Sequence, residues 1–170
     1  PSGIPDTCVV DQVQTTNTTD RYHYFGLSTD GEKEAQTLKP SVTANVCNYQ
    51  VLLKKVGSPT DNVQLEIYID NAGVPGALID TSDITVSGTV LSTTDWSTIN
   101  FSFTNGEQLT AATTYWFVLS RTGSLDDSNY YKVARIYGST IDLYADGGSM
   151  YLYDSVWYEE SSGIYYNDLY

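Results

Sequence analysis

The sequence predicts an all-β fold, an antiparallel sandwich with essentially no helix, and three observations carry that expectation. The first is composition: Thr, Ser, Gly, Asn and Tyr dominate, and only 17% of the 170 residues are charged. Such residues favour strands and turns, whereas surface helices draw on Ala, Glu, Lys and Leu. The second is the segment Val63 to Asp70, where Val63, Leu65, Ile67 and Ile69 alternate with Gln64, Glu66, Tyr68 and Asp70. Strict period two points one set at a core and the other at water. The third is spacing: about eight to ten short apolar runs are separated by Gly, Pro, Asn and Asp clusters, the pattern of a sandwich or barrel.

Residues 1–20 lack an apolar period and read as an extended arm ending in a polar tract. A strand opens at Tyr22 to Phe25, and Thr29-Asp30-Gly31 closes it with turn chemistry. Glu32 to Gln36 is helix-like but too short to matter. Strands are expected over 35–38 and 42–46, with Pro40 between them forcing a break or an edge. Another follows over 49–56, and residues 57–62 form a turn. After the alternating strand, Asn71-Ala72-Gly73-Val74-Pro75-Gly76 reads as a long turn leading to a weaker strand over 78–86. Trp96 to Phe103 alternates again, with Ile99, Phe101 and Phe103 on one side, and Asn105-Gly106 is a hairpin signal. Tyr115 to Ser120 reads as a buried strand, and strands over 130–136, 141–144 and 150–158 complete the set. Ser161-Ser162-Gly163 is a joint before Ile164-Tyr165-Tyr166-Asn167-Asp168-Leu169-Tyr170. The expected division is thus an arm (1–20), a sandwich (21–160) and a Tyr-rich tail (161–170).

Several segments of the sandwich are distinctive. Leu53-Lys54-Lys55-Val56-Gly57-Ser58-Pro59-Thr60 precedes the alternating strand, and Gly73-Val74-Pro75-Gly76 follows it. Leu109-Thr110-Ala111, Thr114-Tyr115-Trp116 and Asn129-Tyr130-Tyr131 come later. In this order they resemble the choice-of-anchor-type jelly-roll modules of secreted bacterial proteins and phage structural proteins, over roughly residues 35–158. The resemblance implies a jelly-roll sandwich and an accessory or display role, and it implies no activity. Within it, Gly-x-Pro-Gly would make the turn out of the alternating strand.

Charge and chemistry narrow the function. Twenty-one acids against 8 bases give a net charge of −13, a field that repels nucleic acid and anionic membranes and attracts cations. No run of 18 apolar residues is present to span a bilayer. Cys8 and Cys47 are the whole cysteine supply, and they are expected to form one disulfide pinning the arm to the first core strands. Pro1 fits a chain made in the cytosol and carried out by another route, as a virion protein is. Extracellular or virion-surface residence is therefore expected. Asp61, Asp70, Asp80, Asp83, Asp126, Asp127, Asp142 and Asp146 lie in or beside turns, where a structural Ca²⁺ could find oxygen ligands, but no EF-hand pattern selects among them. His23 is the single histidine; it has a tyrosine on either side and no nucleophile motif nearby, so no enzyme is expected.

Fifteen tyrosines are the oddest feature. A tyrosine ring packs well in sheets, stacks on sugars and is enriched where subunits meet. Two functions follow. In the first, favoured reading the chain is a non-enzymatic structural subunit of a virion or extracellular assembly. Other copies, or a larger scaffold, would be contacted through the arm and through Ile164, Tyr165, Tyr166, Leu169 and Tyr170. The tail would add as a strand to its own sheet or to a neighbour's edge. In the second the chain is a polysaccharide-binding module that stacks Tyr131, Tyr144 and Trp157 on sugar rings.

Overall fold

The computed structural model describes residue 11 and residues 22–138, 148–159 and 166–169, with the backbone alone at 136–138 and 166–169. The strands are β1 (Tyr22–Phe25), β2 (Lys33–Leu38), β3 (Ala44–Asn45), β4 (Asn48–Val56), β5 (Asn62–Asn71), β6 (Val74–Thr81) and β7 (Val86–Ser87). They continue as β8 (Ser97–Ser102), β9 (Gln108–Leu109), β10 (Tyr115–Arg121), β11 (Tyr130–Gly138), β12 (Ser149–Tyr153), β13 (Val156–Glu159) and β14 (Tyr166–Leu169). The only helical piece among the described residues is a 3-10 turn at Gly88–Val90.

Every pairing is antiparallel. One sheet has the order β1-β11-β4-β8, with β14 also on β11; the other runs β13-β12-β2-β10-β5-β6, with β7 on β5, and β3 pairs β9 apart from both. Taking β1, β2, β4, β5, β6, β8, β10 and β11 as first to eighth, the first sheet reads first-eighth-third-sixth. The second holds second-seventh-fourth-fifth. The neighbours are therefore nested, outermost with outermost and innermost with innermost.

Period two builds the core. From the first sheet Phe25, Val51, Leu53, Phe101, Tyr131 and Val133 point inward; from the second Val63, Leu65, Ile67, Tyr115, Phe117 and Leu119 meet them. Tyr49 of β4 stacks on Phe117 of β10 with ring centroids 4.6 Å apart, tying sheet to sheet. Strand β10 is buried along all but its last residue, as its unbroken apolar run predicts. The alternation of β5 holds, with Val63, Leu65 and Ile67 fully buried, and Ile69 is exposed where the strand runs past the core. Its other face is drier than expected, because Lys33, Gln64 and Tyr68 close over Glu66 and hydrogen-bond it.

Four local readings change. The helix-like Glu32–Gln36 stretch is strand: β2 runs from Lys33 to Leu38 between β10 and β12, because two neighbouring strands supply ladder bonds that a single turn of helix cannot match. The turn after β5 is two residues, Ala72 and Gly73, both with positive φ (54° and 89°), so Val74-Pro75-Gly76 is already β6. Proline is tolerated there because β6 is an edge strand. Asn105-Gly106 does not close a hairpin: β8 pairs β4, and β9 beyond the turn pairs β3. Gly106 serves close approach instead, since a Cβ there would lie 2.1 Å from the Val46 carbonyl oxygen. Residues 150–158 are two strands, β12 and β13, turning at Asp154-Ser155 with φ of 48° and 63°. The strand expected over 141–144 lies outside the described residues.

Candidate functional site

On the first sheet, residues that alternate with the core face outward. Phe25, Tyr131, Val133 and Leu53 point in, so Tyr22, Tyr24, Tyr130, Lys132 and Lys54 point out. Registers bring them into one row: Tyr24 is opposite Lys132, and Lys132 is opposite Lys54. Trp96, just before β8, completes it. Tyr22 and Tyr24 meet edge-on at 5.2 Å between centroids and Tyr24 and Tyr130 at 5.4 Å, while Tyr22 and Trp96 are tilted to one another at 6.4 Å. The ammonium of Lys132 stands 4.1 Å over the Tyr22 ring and 5.4 Å over Tyr24, and that of Lys54 stands 4.8 Å over Trp96. Lys54 also donates to the Thr94 carbonyl. The result is a platform of four aromatic rings crossed by two cations.

The phenols are electrostatically distinct. Tyr24 donates to the Tyr22 oxygen at 3.4 Å. That bond, joined by the charge of Lys132, lowers the Tyr22 phenol below its usual value. Being the donor pushes Tyr24 up to about 12, with burial adding to the effect.

Around the β1 edge the platform adjoins a shallow cleft of about 220 Å³ lined by His23, Tyr24, Asp30, Gly31 and Tyr151. It is smaller than the roughly 300–1,000 Å³ typical of enclosing small-molecule sites. Gly31 has φ of +80°, and a Cβ there would lie 2.6 Å from the Tyr24 carbonyl oxygen. Glycine thus lets the loop close over the strand. His23 faces inward and accepts from the Arg135 guanidinium through Nε2. An imidazole whose lone pair is engaged by a permanent cation is poorly placed as a general base.

The tyrosines and tryptophan chosen from sequence fall elsewhere. Tyr131 is fully buried, stacked on Phe25 at 5.4 Å, and its hydroxyl donates to Asp61; its ring has no face for a sugar. Trp157 packs against the Ala35, Trp116, Val118 and Met150 cluster on the outer face of the other sheet. Tyr144 lies outside the described residues. The structure therefore sets Tyr131 and Trp157 apart, one in the core and one on the other sheet, and it gathers Tyr22, Tyr24, Tyr130 and Trp96 instead. Alternation around the Tyr22-His23-Tyr24 triplet could have signalled the outward pair; the partners on β11 and at Trp96 required the registers.

Of the tail, Tyr166–Leu169 forms β14 and pairs with residues 135–138 of β11, so it adds to its own sheet; Ile164, Tyr165 and Tyr170 lie outside the described residues. Cys47 is in a disulfide, and Cys8, the other cysteine of the sequence, lies outside them too. Asp11 of the arm accepts the Ser41 backbone N–H at 3.0 Å.

The turn aspartates act as acceptors within the fold. Asp61 takes both arms of Arg121 at 2.7 and 2.8 Å. Asp70 accepts from the Trp116 indole, Asp80 from the Glu107 N–H and Asp83 from the Thr104 N–H. Asp126 caps Ser128 and Asn129, and Asp127 clamps Ser28 and Thr29 through backbone and hydroxyl alike. Asp142 and Asp146 lie outside the described residues. Among the described residues no three His, Cys, Asp or Glu side chains converge as a metal site would require.

No family model, curated protein or solved structure matches the chain. The likeness to choice-of-anchor modules accordingly rests on the quoted segments.

Proposed function

We propose that the chain is a non-enzymatic jelly-roll module of an extracellular or particle surface that binds glycan through the outer face of its first sheet. The Tyr22–Tyr24–Tyr130–Trp96 platform carries the reading. Flat rings with polar tips, set in register on a rigid sheet, present the apolar surface and hydrogen-bonding rim that sugar rings need. The nested strand order supports the jelly-roll reading, and the Cys47 disulfide favours an oxidising compartment. Affinity electrophoresis through gels containing a panel of neutral and acidic polysaccharides tests it. Wild-type protein should be retarded by at least one polymer, and Tyr22→Ala/Trp96→Ala should migrate as in an empty gel while keeping its far-UV spectrum. Equal migration of both proteins in every gel overturns the proposal.

A second reading, assembly through the tail, has one observation in its favour. Among the described residues strand β14 pairs with four residues of β11, a ladder that the same segment of another copy could equally complete. Light scattering on wild-type chain and on a chain lacking 161–170 decides: oligomers that vanish with the tail support exchange, and a monomer in both cases removes it.

A further inference from the structure

The glycan-binding reading leaves open which glycans, and the two lysines narrow the choice. Lys54 and Lys132 are direct cross-strand partners, a placement in which like charges repel and destabilise a sheet. The chain has 21 acids to quiet them, and the fold uses such pairing elsewhere: Lys33 meets Glu66 at 2.8 Å and Arg121 meets Asp61 at 2.7 Å. Lys55, the neighbour in sequence, is absorbed by the Gly88 and Thr89 carbonyls. Lys54 and Lys132 have no carboxylate within ion-pair reach among the described residues: Lys132 is held over the Tyr22 ring, and Lys54 over the Trp96 ring while it donates to the neutral Thr94 carbonyl. Aromatic faces fix an ammonium group without neutralising it.

We infer that the platform recognises a glycan bearing carboxylates, with Lys54 and Lys132 taking the acid group and the Tyr22, Tyr24, Tyr130 and Trp96 rings taking the sugar faces. The inference rests on the glycan reading of the same surface. Net charge shapes the ligand further. A body of −13 repels a dense polyanion over the Debye length of about 8–10 Å, so spaced acid groups among neutral sugars suit it better than a fully charged polymer.

The test uses hyaluronan, whose acid groups alternate with neutral sugars, and the denser polyanions galacturonan and alginate, each paired with its methyl-esterified form, which has the same backbone without the charge. Retardation in affinity gels and titration calorimetry on the full chain give the readouts. At least one acidic polymer should bind about tenfold or more tightly than its ester, as two lost charge-assisted hydrogen bonds require. Lys54→Gln/Lys132→Gln should erase that difference while its far-UV spectrum stays that of the wild type. Equal binding of acid and ester by wild type overturns the inference and leaves the glycan reading standing. So does unaltered preference in the lysine variant. Binding of neutral polymers with none of the acidic ones has the same meaning, and binding of no polymer overturns both.

Discussion

Arg121 shows how one side chain can hold three loops. Its guanidinium grips Asp61 with two nitrogens and donates to the carbonyls of Gly26 and Asn129, while Tyr131 and the Gly123 N–H also reach the Asp61 carboxylate. Only 6% of the Arg121 and 14% of the Asp61 side chain is exposed, so Asp61→Ala strands a buried cation and should cost about 3 kcal/mol in urea unfolding. Burial alone would raise the Asp61 carboxyl; the bonds from Arg121, Tyr131 and Gly123 outweigh it and hold it below the usual aspartate value. A group depressed on folding stabilises above its unfolded pKa of about 4 and loses that contribution as pH falls through the folded value. Stability of wild type should therefore fall below about pH 4, and that acid limb should be shallower in Asp61→Asn. At the platform, Tyr22 should ionise ahead of Tyr24 in an ultraviolet titration, and Lys132→Gln should raise the Tyr22 midpoint. None of these partnerships was legible in sequence: Asp61 read as a turn acid and Tyr131 as a surface ring, because which residues lie across a loop is fixed by topology and leaves no mark on the local pattern.

At the scale of elements, alternation was the readable signal and turn chemistry the misleading one. The runs at Val63–Asp70, Trp96–Phe103 and Tyr115–Ser120 gave strands with the expected residues inward except Ile69, which lies past the core, since burial of one face enforces period two. Asn105-Gly106, the strongest hairpin dipeptide, closes no hairpin, whereas Ala72-Gly73 and Asp154-Ser155 do. Those turns place Ala72 and Ser155 at positive φ, against their preference, beside an Asp154 that tolerates it, so the flanking strands must impose the geometry. Relief is then available. Ala72→Asn and Ser155→Gly should each stabilise the fold by about 0.5–1 kcal/mol, measured by denaturant midpoints at unchanged slope. If both variants match wild type, the strain is absent and the turns are not of the primed kind.

For the whole molecule, net charge and disulfide set the conditions of stability. Thirteen uncompensated negative charges repel one another in the compact state, so the thermal midpoint should climb as salt is raised from about 10 mM to about 0.5 M. Reduction should remove about 4 kcal/mol in the chain-entropy model if the Cys47 bridge closes on Cys8. The sandwich class was legible from composition and spacing; the sheet orders were not, since each strand's sequence fits either sheet equally well. One result of those orders concerns connectivity. Tyr22 is opposite Ala134 and Leu169 is opposite Arg135, so β14 stops on β11 one pair from where β1 starts. Along β11 the ladders of β14 and β1 thus follow one another without an unpaired residue between them. A circularly permuted chain that begins at Gly73, runs through Leu169, passes by a short linker to Tyr22 and ends at the exposed Ala72 would keep every ladder of the described strands except the register at the opened turn.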